Sequence, residues 1–231
     1  MRCILIDFTV LKTNLLKGNF ESIPYERLNP DQLGLESLSS VFFFLSLCYR
    51  YPDKEIYERI KEALPVFQDF FEDYVGHLPE LPGQVDMEAE YVRLFVSNYG
   101  GVVAVPYASY YLEEEKLLMG ETTVALRDMM NNEGFALKED IKEVVDHVYI
   151  ILEFCSGLIN KIIDMKKKNE NFINTLATLF TVLYNYIGKY VVDFSDKVIE
   201  GSNLAFYKDV SAALKGLFLE LDEVLAEIFD L

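Results

Sequence analysis

The sequence is short of the side chains that most often carry chemistry. Its 231 residues include two histidines and three cysteines. Cys3, Cys48 and Cys155 are far apart, odd in number and flanked mostly by apolar residues, which suggests neither a disulfide framework nor a metal knuckle. They read as buried thiols in a reducing compartment. His77 falls in a loop and His147 in a helical stretch, and no nucleophile is paired locally with either. No phosphate-cradling loop and no dinucleotide fingerprint after a strand is present, so no cofactor is expected. Basic residues are outnumbered, 21 against 38 acidic ones, and the resulting charge of -17 repels phosphate backbones and anionic lipid. Nucleic acid is not an expected partner. The longest apolar run, Val41 to Cys48, is broken by Ser46 and falls well short of the roughly 20 residues a membrane span requires, so no stable membrane insertion is expected. Met1 to Leu16 is interrupted by Asp7 and Lys12 and lacks a small-residue cleavage site, which argues against a signal peptide.

What is present is apolar material, 51% of the chain, enough to fill a core. From Leu35 onward apolar residues recur at three and four, and the breakers are spaced for helices, so the class is all-α. A first helix is predicted from Leu35 to Tyr51, stopped by Pro52, with Asp53 capping the next. That one, Lys54 to Val75, is kinked or divided by Pro65. A loop with Gly76, Pro79, Pro82 and Gly83 follows, then a helix from Asp86 to Asn98 and an aperiodic loop from Gly100 to Leu112. Thr122 to Asn132 is helical, with Gly134 suited to a left-handed cap. The strongest signal, Lys138 to Lys168, carries a stripe of Ile141, Val145, Val148, Leu152, Cys155, Ile159 and Ile162. Phe172 to Val198 and Ala205 to Phe229 complete the set. Residues 1–34 show no clear period and are read as an N-terminal extension of unknown structure, with residues 35–231 as one all-helical domain.

Glu143, Asp146, His147 and Glu153 interrupt the otherwise apolar long helix. A solvated face with an ordinary histidine fits them, and spacing alone favours that reading. The functional alternative is a groove whose carboxylates accept bonds from guanidinium groups, beside tyrosines such as Tyr99, Tyr107, Tyr110 and Tyr111 that add cation-π contacts. A metal-dependent hydrolase using His147, Glu143 and Glu153 is a further alternative, although these ligands are too sparse to specify a metal. A helical interaction module with an unrelated client is another. The Glu113-Glu114-Glu115 run reads as the first turn of a helix, favoured by the macrodipole.

The stretch from Glu90 to Phe135 resembles the TorD/DmsD family of redox-enzyme maturation chaperones, to which the NarJ-type chaperones are related. The resemblance rests on Tyr91, Leu94 and Phe95, on Pro106, Tyr107, Ser109, Tyr111 and Leu112, and on Leu118-Met119-Gly120. Downstream, Asp146-His147 followed by Leu152-Glu153-Phe154 is similar to the family's Glu-Pro-x-Asp-His hinge and Leu-Glu-Phe continuation. Val144 replaces the hinge proline, which removes the expected break and makes continuous helix the expectation there. The resemblance implies a helical bundle of the TorD/DmsD type, located in the cytoplasm. It implies as client the apo catalytic subunit of a molybdenum or tungsten oxidoreductase, bound through its twin-arginine signal peptide, as the apo form, or both, until cofactor insertion. Tyr91, Leu94, Phe95, Pro106, Tyr107, Tyr111, Leu112, Gly120, Glu143, Asp146, His147 and Glu153 are then expected to bind peptide. Exchange of terminal helices, a property within the family, would make a homodimer with the Lys166 to Asn171 turn as its hinge.

Overall fold

Three aspartates open the first three helices, each by accepting a bond from a backbone N–H that the helix itself leaves unpaired. Asp7 caps α1 (Phe8–Lys17) through Val10 N, Asp31 caps α2 (Gln32–Cys48) through Gly34 N, and Asp53 caps α3 (Lys54–Ala63) through Ile56 N. The computed structural model describes residues 7–25, 28–114, 118–138 and 141–231. Cys3 and Glu115 lie outside them.

Pro65 divides the second predicted helix: a 3-10 turn, Leu64–Phe67, separates α3 from α4 (Gln68–Val75), which ends at Gly76 in the left-handed region. Next come α5 (Gln84–Tyr91), extended by a π turn over Val92–Val96, then α6 (Ala108–Leu112), α7 (Glu121–Asn132) and α8 (Val148–Lys167). The remainder is α9 (Ile173–Thr181), α10 (Val191–Gly201), α11 (Ala205–Leu219) and α12 (Leu221–Phe229). No strand is formed among the described residues, and none of their helices is long and apolar enough to cross a membrane.

The centre of the molecule is α2 packed along α8. Ser39 and Ser156 let the two backbones approach, their hydroxyls 2.9 Å apart and both buried. Cys48 and Cys155 are buried free thiols in this core, and burial raises both pKa values. Around it, α11 packs on α10 and α4, and α9 on α8 and α1.

Several expectations are corrected. The helix α2 begins before the expected boundary, at Gln32, and ahead of it, where the sequence left the structure open, Phe8, Leu11 and Leu15 bury one face of α1. The 100–112 loop contains α6. The last two predicted helices are each two. The first breaks at Tyr190, which leaves helical geometry (φ -130, ψ -16) with its ring in the core, and the second at Glu220, allowing α12 to fold back on α2. The Lys166–Asn171 turn is held by the N-terminal segment: Lys166 Nζ donates to Pro30 O, and the Tyr25 hydroxyl donates to Glu170 O and accepts from Phe172 N.

The correction that matters for function concerns the long helix, which starts at Val148, ten residues later than expected. Among the described residues of 138–147 none is helical, despite Val144. The reason is tertiary: residues 106–108 pair with residues 146–148. Val148 N donates to Pro106 O (2.8 Å) and Ala108 N to Asp146 O (2.9 Å), while Tyr107 and His147 form an isolated antiparallel bridge. Backbone groups committed across the gap are not available to an i to i-4 ladder.

Candidate functional site

The Asp-His pair sits inside this clasp. Asp146 is fully buried; its Oδ2 accepts from Ser109 N at 3.0 Å in the first turn of α6. His147 is the N-cap of α8, with Nδ1 accepting from Tyr149 N at 3.2 Å. Burial, with Arg50 nearby, pushes the His147 ring down to about 3, so it is neutral. One residue therefore closes the start of α6 and the next the start of α8. The imidazole also packs edge-on to Tyr107, centroids 5.2 Å apart, and against Tyr149 at 4.7 Å. Expected to touch a client directly, Asp146 and His147 are instead sealed beneath packed chain, where they position these two tyrosines.

Above them lies a cleft of about 880 Å³. Its walls are the end of α2 with the following turn, α3, the connection between α7 and α8, and the first turns of α8. Phe43, Arg50, Tyr51, Ile56, Tyr91, Phe135, Leu137, Ile141, Tyr149 and Phe154 line it together with four acids and three further bases: Asp53, Glu55, Glu143 and Glu153, and Arg59, Lys138 and Lys142. The furrow is thus as basic as it is acidic, which composition did not foretell.

Several of its charged groups are held by carboxylates or by aromatic rings. Glu143 Oε1 accepts from the Tyr107 hydroxyl at 2.8 Å and from Val144 N. Glu153 Oε2 accepts from Arg50 Nη2 at 2.6 Å, and the Arg50 guanidinium lies 4.8 Å from the Tyr149 ring centroid. Arg59 lies over Phe43 at 5.6 Å. Burial first, then the neighbouring carboxylates, push the Tyr107 phenol upward, and burial takes the Tyr149 phenol up to about 12, so both remain neutral donors.

Phe135 forms one wall because Gly157 makes room for it: a Cβ at Gly157 would meet the ring at 2.7 Å. Gly157→Ala is expected to destabilise the protein by about 1–3 kcal/mol through overpacking and to move that wall, which a thermal melt alongside a peptide titration would register.

The other expected site residues distribute as follows. Tyr91, Glu143 and Glu153 line the cleft, and Tyr107 reaches it through Glu143. Leu94 and Phe95 are core, Phe95 standing among Tyr49, Tyr91, Phe194 and Tyr207. Pro106 is buried and acts through its carbonyl. Tyr111 stacks on Tyr190, centroids 5.1 Å apart, beneath Lys197 and away from the cleft, and Leu112 lines a separate small cavity with Thr122 and Tyr186. Gly120 has a structural role: a Cβ there would lie 1.7 Å from the Glu113 carboxylate, which accepts from Thr122 N at 2.9 Å. The Glu113 carboxylate therefore caps α7 through space, not from the first turn of a helix that it begins.

Residue spacing did not reveal Arg50, Tyr149 and Phe135 as cleft residues, nor the buried Glu90. Glu90 receives two bonds from Arg93, both at 2.7 Å, and further bonds from Ser202 and Asn203, tying α5 to the turn between α10 and α11. Burial raises its pKa, but these donors outweigh it and hold the carboxyl at about 2. The expected ligand trio of His147, Glu143 and Glu153 is not assembled: each is committed to a different partner, and no group of three His, Cys, Asp or Glu among the described residues is placed to hold a metal.

The fold is that of a solved structure, a candidate redox enzyme maturation protein from Archaeoglobus fulgidus, with TM-score 0.54 and 20% identity over 79% of this chain and 93% of that one. Residues 53–196 match the family described as nitrate reductase delta subunit. The chain belongs to this family, that of the NarJ- and TorD-related maturation chaperones, which are not enzymes. Its curated relatives include a chaperone protein TorD from Vibrio parahaemolyticus, 28% identical over 167 residues, 70% of this chain and 74% of the relative. Another, from Aliivibrio salmonicida, is 26% identical over 162 residues, 68% and 74% of the two chains.

Proposed function

We propose that this chaperone receives, in the cleft beside α8, the twin-arginine leader of the catalytic subunit of a molybdenum or tungsten oxidoreductase. It acts in the cytoplasm and holds the apo-subunit until its cofactor is inserted. The observation that carries this reading is the seating of guanidinium groups already present: Arg50 between the Glu153 carboxylate and the Tyr149 face, and Arg59 over Phe43. A planar cation with five donors suits such seats better than an ammonium does. Glu143, whose Oε2 has no hydrogen-bond partner among the described residues, supplies a second carboxylate on the same cleft. The apolar lining, Ile56, Leu137 and Phe154 among it, suits the hydrophobic part of a leader.

Calorimetric titration with a synthetic twin-arginine leader and its Lys-Lys and Ala-Ala counterparts tests this. The Arg-Arg peptide is expected to bind most tightly and to lose affinity as salt rises. Equal binding of all three removes the charge-pairing role.

A further inference from the structure

The strongest guanidinium seat in the cleft is occupied by the protein itself. Arg50 follows the end of α2, in the turn that Pro52 forces, and its side chain lies across Tyr149. It reaches Glu153 through one nitrogen, Nη2; its Nε is buried and has no hydrogen-bond partner among the described residues. Single-point contact is the weaker of the two ways an arginine meets a carboxylate, and a buried N–H without an acceptor lowers the stability of the arrangement that contains it. Glu153 remains partly exposed, its side chain 42% accessible, so a second cation can approach the same carboxylate from the cleft.

We infer that Arg50 is an internal competitor for the client's arginine: the leader binds by displacing the Arg50 guanidinium from Glu153 and Tyr149. This rests on the reading of the cleft proposed above. An incoming guanidinium that engages Glu153 with both its nitrogens replaces an incompletely bonded resident, and the released Arg50 head regains water. The exchange sets the affinity below what the bare seat would give, because a site filled by its own side chain is available to a ligand only in the fraction of molecules where that side chain has left. It also provides a route of release, since Arg50 is tethered next to the seat and returns to it without diffusing.

The test is a titration of the full chain and its Arg50→Met variant, which keeps an unbranched apolar stem, with the synthetic Arg-Arg leader. Lys138→Met and Lys142→Met remove the same charge from the same cleft and control for simple repulsion. Arg50→Met is expected to tighten binding by roughly tenfold, equivalent to about 1.4 kcal/mol, and the two controls by much less. In a Glu153→Gln background the Arg50→Met gain is expected to shrink, because the seat both cations share has been weakened. Binding by the unaltered chain with no gain, or a loss, in Arg50→Met overturns the inference and leaves the proposed function standing, as does an equal gain in the controls. Binding by Arg50→Met alone supports it. No binding by either removes the proposed function and this inference together. Thermal melts of each variant confirm that the folded chain is being titrated.

Discussion

Replacing Glu90 by alanine is expected to be among the most damaging single changes in the molecule, costing about 3–5 kcal/mol, the range for breaking a buried ion pair by removing one partner. Arg93 loses both its carboxylate bonds and keeps only the Gly201 carbonyl, Ser202 keeps only the Leu204 carbonyl, and the Asn203 N–H loses its acceptor, so most of the link from α5 to the α10–α11 turn goes at once. Glu90→Gln is the milder change because it keeps an acceptor oxygen. The same residue predicts a pH dependence. Its folded value of about 2 lies below the ordinary value of 4.5, so the stabilisation is complete above about pH 4.5 and is lost as pH falls toward 2. The difference is worth about 3 kcal/mol. Glu133, lowered despite its burial by bonds from Lys161, Thr178 and Thr175, acts in the same direction. Chemical denaturation followed between pH 6 and pH 3 checks this: the native chain is expected to lose stability across the range, and Glu90→Gln to lose distinctly less.

The second large effect is on binding. Glu143→Gln together with Glu153→Gln is expected to weaken the Arg-Arg leader by roughly 30-fold, the ratio for about 2 kcal/mol of lost charge-assisted hydrogen bonding. Both glutamines keep an acceptor, so the Tyr107 bond at position 143 is retained and the melting temperature is expected to move little. By contrast, Asp146→Ala leaves the buried Ser109 N–H without its acceptor and is expected to lower stability rather than act at the binding surface. Peptide titration and thermal melts on the same preparations separate the two classes.

Much of this architecture was legible in the sequence, and the exceptions have physical causes. Asp53 as a cap, Pro65 as a divider, Gly134 beyond α7 and the apolar stripe from Val148 to Ile162 follow from local rules and appear as expected. The ten-residue error at the start of α8 arose because Ile141 and Val145 continue the helical period while the backbone between them and Val148 pairs with residues 106–108, a partner remote in sequence. The site was legible in part for the same reason. Glu143, Glu153 and Tyr107 stood out as polar or amphipathic residues within apolar surroundings; the two glutamates line the cleft and Tyr107 bonds to one of them. Asp146 and His147 stood out equally, yet are buried because they cap two helices. Arg50 and Phe135 lie in turns, where no period marks a face, and they join the cleft only through the packing of α2 against α8.

On the proposed function the leader occupies the cleft beside α8. The most direct measurement places a photoreactive residue at Tyr51 or Ala136, in the cleft walls, and at Leu219, exposed at the end of α11, and maps crosslinks to a labelled Arg-Arg leader. A leader seated in the cleft gives crosslinks from positions 51 and 136 that unlabelled leader suppresses, and none from position 219. Suppressible crosslinking from position 219, with positions 51 and 136 silent, would contradict it.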